Sequence, residues 1–392
     1  MSPPTTNSSH SMNLTYLCSV EQETTTKSNG GNINLNEMRN YIPQEAFQKS
    51  LPKSLFYLGF DYTMWGGALL AIHTLVNSTL WPTLPFWLQG LASILYWNVA
   101  GFFMWCIFVV GHDCGHTTFS KHTWLNNIIG HITHGSLLVP FFPWQLSHRR
   151  HHMYHNHVNK DYSYAWYTQD MLESEESKHM QLFHELPIVS FFLPFYGWFI
   201  YLLGAGDGCH FLPIKSHRMW QESPLVELQK CLVSSMSVVV FAVLNYYVFQ
   251  QSLSQMTYYF LAPLVMFGWW LVTVTYLQHH HEDSVVYDEK DWKFAEAGLE
   301  TVDREYGWGI DKLHHYITNH HVAHHLFFTQ IPHYNLPLAT EGIKKYLSAQ
   351  NKLHLYRFEE THNFAWRVHT LLMKHGFKAK RASEVPVADK TK

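Results

Sequence analysis

The stretch that decides the fold is LPFWLQGLASILYWNVAGFFMWCIFVVGHDCGH, residues 84–116. Its first part, residues 84–110, is apolar and long enough for a membrane-spanning helix, which needs about 20 residues. Two histidines, His112 and His116, follow directly after it. Residues four apart lie on one face of a helix, so both imidazoles would project together. The stretch therefore indicates a membrane helix that leads into a metal site.

Three further apolar stretches predict three more spanning helices, at residues 55–80, 232–249 and 258–277. The first of them pairs with residues 84–110 across a short proline-containing turn, and the other two pair with each other. The sequence therefore predicts an all-α integral membrane protein with two transmembrane hairpins. Two less regular apolar stretches, residues 128–146 and 188–206, are interpreted as interfacial or re-entrant segments.

The distribution of positive charge predicts the orientation of the hairpins. No lysine or arginine occurs between Lys53 and Lys121, or between Lys230 and Lys290, so the tail, the middle segment and the C-terminal region hold all 27. Under the positive-inside rule those three segments share the cytoplasmic face. Residues 1–45 are polar and are predicted to form a disordered tail.

Composition agrees with a membrane protein and gives no support to several other classes. Charged residues make up 15%, against about 25% in soluble domains, while aromatic residues reach 16%. The net charge of −3 gives no reason to expect a nucleic-acid partner. Five scattered cysteines do not form a disulfide framework. The outlier is histidine, with 30 copies of a side chain that commonly binds metal ions.

Eight of these histidines form three clusters, HDCGH, HRRHH and HVAHH, all on the predicted cytoplasmic side. In an HxxHH cluster the adjacent pair flanks the first histidine, so one helical turn can offer three imidazoles to a metal site. Eight nitrogens exceed the four of a tetrahedral zinc site and suit two irons, each with an open position. The predicted ligands are His112, His116, His148, His151, His152, His321, His324 and His325.

A ninth candidate ligand is His279, at the predicted cytoplasmic end of the fourth helix. We further expect Asp113 and Asp161, which lie close to the first two clusters, to orient ligands through the far ring nitrogen. Most other histidines are expected to hydrogen-bond to backbone or carboxylate groups instead of binding metal.

Six longer segments, three of which contain the histidine clusters, extend the sequence pattern. In sequence order they read GHDCGHTTFS, PFFPWQLSHRRHH, TYLQH, TVDREYG, HVAHHLFF and IPHYNLPLAT. Together they resemble the membrane fatty acid desaturases, specifically the methyl-end branch of Δ12 and omega-3 enzymes. The resemblance runs from about Tyr41 to Lys345, and it implies a desaturase domain at residues 46–350 followed by a cytoplasmic tail at 351–392. Asn335 departs from the family pattern, which usually has histidine there.

The resemblance implies the chemistry. Two non-haem irons would use O₂ and two electrons to insert a cis double bond into an unsaturated C18–C20 acyl chain, carried on coenzyme A or a phospholipid. The third cluster begins with His321 and no HPGG motif occurs, which implies a separate donor, cytochrome b5 with its NADH reductase. General similarity favours omega-3 over Δ12 activity, and the expected location is the endoplasmic reticulum membrane with both termini cytoplasmic.

Three alternatives stay open. A fatty acyl hydroxylase or acetylenase would share the histidine clusters and differ in its product. A haem protein would need single histidines facing each other across spanning helices. A non-catalytic lipid-binding membrane protein would have no use for eight ligands.

Overall fold

Four long apolar helices dominate the computed structural model of the chain, which describes residues 33–161, 163–164, 166–174, 186–221, 223–248 and 252–385. Within these residues, four helical segments are long and apolar enough to cross a bilayer: Leu51–Val76, Phe86–Gly115, Leu225–Val248 and Leu253–His279. The four predicted spans and the mainly helical architecture are thus confirmed, although each helix begins or ends several residues away from its apolar stretch.

The elements are numbered in chain order. The helices are α1 (Leu35–Asn40), α2 (Leu51–Val76), α3 (Phe86–Gly115), α4 (Thr123–Ser136), α5 (Phe141–Met153), α6 (Gln169–Leu172), α7 (Pro187–Leu203), α8 (Leu225–Val248), α9 (Leu253–Met256), α10 (Ala262–His279), α11 (Phe294–Gly298), α12 (Ile310–Leu313), α13 (His321–Leu326), α14 (Leu336–Ala349) and α15 (Phe364–His375). A π-helical segment, Thr257–Leu261, joins α9 to α10. The strands are β1 (Val285–Val286), β2 (Val302–Glu305), β3 (Arg357–Glu360) and β4 (Lys380–Arg381).

Two of the spanning helices are interior and two are peripheral. In α3 and α10, 67% of the most apolar window is buried within the protein, against 17% in α2 and 11% in α8. The interior pair can approach closely because of Gly101: a Cβ atom there would lie 2.5 Å from the Cβ of Met266. Most apolar side chains of the two outer helices are exposed on the protein surface, where lipid would contact them, as expected of a membrane protein.

The length of α3 places the first histidine cluster. Its 30 residues span about 45 Å, whereas the hydrocarbon core of a bilayer is about 30 Å thick. The helix therefore continues beyond the membrane, and His112 lies on its last turn, not after its end as predicted from the apolar stretch. His116 is the C-cap residue.

The two less regular apolar stretches form shorter helices. Residues 128–146 fall on α4 and the start of α5, and residues 188–206 fall largely on α7, an apolar helix of 17 residues. A helix of that length is at the lower limit for crossing a bilayer. Their interfacial position stays a prediction.

Ordered elements occur on both sides of the predicted domain boundaries. Residues 1–32 of the expected tail lie outside the described residues, but α1 precedes residue 46, a 3-10 turn at Gln44–Phe47 crosses it, and Met38 and Ile42 are buried. Beyond residue 350, β3 pairs in parallel with β2 and β4 pairs in parallel with β1. Residues on both sides of the predicted boundaries thus pack into the same compact unit.

Candidate metal centre

The three histidine clusters and His279 all lie at helix ends. The first cluster closes α3, the second occupies the last turn of α5, and the third forms most of α13. His279 is the last residue of α10. The helical placement of both HxxHH clusters is as predicted from their spacing.

One group of five histidines comes together from all three clusters. Their candidate ligand atoms lie within 4.8 Å of one another, and the group consists of His112, His116, His148, His152 and His324. Three Nε2–Nε2 contacts connect it: 3.2 Å between His112 and His116, 3.1 Å between His148 and His152, and 3.1 Å between His152 and His324.

A second group forms around His279. It contains His151, His155, His279 and His325, again with ligand atoms within 4.8 Å. The Nε2 atom of His279 lies 3.3 Å from Nε2 of His151 and 3.1 Å from Nε2 of His321. The two groups adjoin, since the rings of His152 and His325 are 4.1 Å apart.

Each HxxHH cluster is divided between the two groups, which corrects the expectation that one turn serves one site. In the second cluster, His148 and His152 are four residues apart and face the first group, while His151 faces the second. In the third, His321 and His325 lie on the side of the second group and His324 faces the first. Adjacent residues on a helix diverge by about 100°, so neighbouring histidines cannot converge on one point.

Hydrogen bonding fixes the protons in the second group. Nδ1 of His151 donates to Asp161 (2.9 Å), and Nδ1 of His321 donates to the carbonyl of Ile317 (3.1 Å). Because each neutral imidazole carries one proton, the Nε2 atoms of both rings present lone pairs to His279.

His155 completes this pattern as a hydrogen-bond partner of His279. Its Nδ1 donates to the carbonyl of Ala297 (2.8 Å), so its Nε2 accepts from Nδ1 of His279 at 2.9 Å. Nε2 of His279 then carries no proton and also presents a lone pair. His155 thus orients His279, in agreement with the hydrogen-bonding role expected from sequence for most of the remaining histidines.

Burial favours the neutral form of five of the cluster histidines. Burial and neighbouring histidines hold the pKa values of His116, His148, His152 and His324 well below the ordinary value. Burial lowers the pKa of His321 to about 3. Neutral imidazole is the form that binds a metal ion.

The arrangement fits metal ions better than it fits hydrogen bonds. Lone pairs at 3.1–3.3 Å repel each other, and neither ring nitrogen of buried His325 has a hydrogen-bond partner. With metal–nitrogen bonds of about 2.1 Å, ligands at right angles would lie about 3 Å apart, close to the distances found. A cation in each group would be coordinated by these lone pairs, which would remove the repulsion between them.

The acidic residues near the clusters have different roles. Asp161 orients His151 as predicted, and burial raises the pKa of its carboxyl group. Asp113 does not bond to a histidine of either group: its Oδ2 accepts from Nδ1 of His333 at 2.8 Å, and His112 Nδ1 is 4.0 Å away. Asp303, which the sequence did not single out, accepts from the backbone N–H of Val322 and so caps the start of α13.

Other histidines are held by ordinary partners. His131 bonds to the carbonyl of Asn127, His157 to Glu289, and His320 to the hydroxyl of Thr340. For His131 and His157 this agrees with the expectation of bonds to backbone or carboxylate groups, whereas His320 bonds to a hydroxyl group.

The chain matches the family model described as fatty acid desaturase over residues 85–358. It is 36% identical over 332 residues to the Delta(12) fatty acid desaturase fat-2 of Caenorhabditis elegans, covering 83% of this chain and 82% of that protein. It is 40% identical over 313 residues to the omega-3 fatty acid desaturase fat-1 of the same organism, covering 79% of this chain and 72% of that protein. It is also 34% identical over 311 residues to an sn-1 acyl-lipid omega-3 desaturase (ferredoxin) of Nostoc sp., covering 79% and 80%. The family model covers most of the chain and each of these relatives exceeds 30% identity. The chain, with its buried histidine groups at helix ends, therefore belongs to the fatty acid desaturase family of oxidoreductases, in its Δ12/omega-3 branch.

Proposed function

We propose that the two histidine groups bind two iron ions and that the chain desaturates an already unsaturated C18–C20 acyl chain on the methyl side, with omega-3 favoured over Δ12 activity. His112, His116, His148, His152 and His324 would hold one iron, and His151, His279, His321 and His325 the other. The observation that carries the proposal is the convergence of eight of these imidazoles in the two adjoining groups, while the ninth, His321, places its Nε2 3.1 Å from that of His279.

The residues of the chain would prepare the site for oxidation chemistry. Asp161 and His155 fix the tautomers of His151 and His279, so that Nε2 is available without rearrangement. Burial of the site excludes water. When bound, the irons would supply the redox chemistry that uses O₂, two electrons and two protons to remove two hydrogens from the acyl chain and form two waters.

The preference for omega-3 activity has modest support from the comparisons. Identity is 40% to the C. elegans protein named as an omega-3 desaturase and 36% to the one named as a Δ12 desaturase. Because one methylene contributes only about 0.8 kcal/mol of burial, a few wall residues would be enough to change the regioselectivity.

The proposed electron donor is cytochrome b5 with its NADH reductase, in the endoplasmic reticulum membrane. The support comes from the sequence, where lysine and arginine predict cytoplasmic histidine clusters and termini. The Nostoc relative is named as ferredoxin-dependent, so the donor must be tested directly.

The test is expression in yeast with oleate, linoleate and arachidonate fed separately, followed by mass spectrometry that locates each double bond. We expect an added omega-3 double bond in linoleate and arachidonate, lost in His324→Ala and kept in His354→Ala, which alters an exposed histidine outside both groups. Conversion of oleate alone would reassign the enzyme to Δ12 activity, and hydroxylated products to the hydroxylase class.

Two further measurements address the cofactor and the donor. Purified protein should contain two irons per chain, and His324→Ala should contain fewer. Product formation should fall in a yeast strain without cytochrome b5 and return when it is restored. Iron-loaded protein that forms no product from any chain would refute the proposed activity.

A further inference from the structure

Helix α2 contributes no histidine to either group, yet its few buried residues are mainly polar. Of its 26 residues, those buried are Ser54, Asp61 and Ile72. Asp61 is fully buried, although it lies in a membrane-spanning helix. Ionisable residues within such helices are rare and are usually paired or functional.

Asp61 is paired with the segment that precedes the third cluster. Its Oδ2 accepts from Nε2 of His315 at 2.8 Å, and both side chains are about 1% exposed. His315 lies six residues before His321, the first histidine of α13.

A second histidine–carboxylate pair holds the segment that follows the third cluster. Nδ1 of His333 donates to Oδ2 of Asp113 at 2.8 Å, and the backbone N–H of His333 donates to the same oxygen at 3.1 Å. Asp113 lies on α3 within the first cluster, so this pair connects the first and third clusters.

The two pairs are in contact with each other. The rings of His315 and His333 are 4.8 Å apart, and the ring of Tyr57 packs edge-on against both, at 4.9 and 4.7 Å. Tyr57 is one helical turn before Asp61, so α2 presents both side chains to the same place.

The backbone at His315 needs external support. His315 and Tyr316 have φ values of +57° and +64°, a left-handed conformation that side-chain-bearing residues rarely adopt. Such a turn persists only where surrounding contacts determine it. The bond from His315 to Asp61 is one such contact.

We propose that Asp61 is a positioning residue for the metal centre: through His315 it fixes the entry into α13, while Asp113 fixes the exit through His333, so that the third cluster is held in register with the first. The inference rests on the proposed metal centre. It gives α2, which supplies no ligand, a defined role in the reaction.

The experiment compares Asp61→Asn with Tyr62→Phe in the full-length protein. The control removes a hydrogen bond of the next residue on the same helix, between the hydroxyl groups of Tyr62 and Ser136, neither of which belongs to the third cluster. Each protein is purified with iron, and release of iron to a ferrous chelator is followed alongside thermal unfolding of the iron-free form.

We expect Asp61→Asn to release iron up to about 10-fold faster, the lower end of the effect of losing a direct partner of a ligand, because Asp61 acts through His315. Desaturation should be lowered in turnover and not in substrate affinity. Tyr62→Phe should release iron at the wild-type rate. The double variant Asp61→Asn with His315→Gln should be no worse than either single change, because the two side chains act as one unit.

Equal iron release in Asp61→Asn and wild type would refute the inference, as would equal acceleration in Tyr62→Phe. If Asp61→Asn does not fold, Asp61→Glu, which keeps the charge and moves it by one methylene, takes its place with the same criteria. A wild-type protein without iron would instead refute the proposed metal centre, so the two failures are distinguishable.

Discussion

Replacing Asp161 by asparagine tests whether the second histidine group is held by its outer partners. Asp161 accepts from Nδ1 of His151 at 2.9 Å through Oδ1 and 3.1 Å through Oδ2. Oδ2 also accepts from the backbone N–H of Asn156 (3.1 Å), and Oδ1 from that of Tyr164 (3.3 Å). Asparagine has one oxygen and one NH₂ group, so one of these donors would face another donor.

The magnitude follows from the lost contact. A hydrogen bond to a charged acceptor contributes about 1.5–3 kcal/mol, and each 1.4 kcal/mol corresponds to a factor of ten in an equilibrium constant. Loss of an outer partner typically lowers metal affinity about 10–100-fold. We therefore expect the second group, which contains His151, to bind iron 10–100-fold more weakly, with the first group close to wild type.

The assay is iron release to a ferrous chelator, resolved into two phases. In Asp161→Asn the faster phase should accelerate and account for half of the iron. Asp170→Asn, which alters an exposed carboxylate paired with Arg381, is the matched control and should release iron as the wild type does. Wild-type kinetics in Asp161→Asn, or equal acceleration of both phases, would show that Asp161 does not orient His151 in the way the distances imply.

Three further outcomes are expected. Asn335→Ala removes an amide that donates to three backbone carbonyls, at residues 45, 46 and 48. The free energy of unfolding should therefore fall by about 1–3 kcal/mol while the iron content stays constant. A loss of iron would contradict this. Burial raises the pKa of Asp303 from 3.8 to about 7, so the folded form holds the proton more tightly and the stability contributed by this group falls as pH rises through that window. The difference in thermal midpoint between wild type and Asp303→Asn should therefore vary with pH across the window, and a constant difference would refute the reasoning. Gly111→Ala places a methyl group 2.2 Å from Thr133 Oγ1, so it should lower the free energy of unfolding by about 1–3 kcal/mol and reduce the iron content. Gly59→Ala, where a Cβ atom would have no neighbour within 4 Å, should change neither quantity. Equal effects of the two substitutions would refute the reasoning.

The helices and the position of the metal site could be predicted because each depends on a local pattern. Apolar length and the absence of lysine and arginine define the spans, and spacings of three and four residues place histidines on helix ends. Asp161 could be predicted as an orienting group for the same reason, since it lies near its partner in sequence.

The division of the clusters and the long-range pairs could not be predicted as readily. Which group His151 or His324 faces depends on how α5 and α13 are rotated against α3, and this is decided by packing. The pairing of Asp61 with His315 joins residues 254 apart in sequence, and its only local signal is a carboxylate within an apolar stretch. Likewise, Asn335, which departs from the family pattern, donates its amide to backbone carbonyls of the distant turn at Gln44–Phe47.

The length of α3 has a consequence for how the enzyme would respond to its surroundings. Because the helix is about 15 Å longer than the hydrocarbon core and carries His112 on its last turn, bilayer thickness sets the height of the metal centre above the lipid tails. A membrane a few Å thicker would draw the centre toward the acyl chains or change the tilt of the helix, at a fraction of a kcal/mol per Å. The depth of the proposed metal centre would therefore vary with the thickness of the membrane that holds the enzyme.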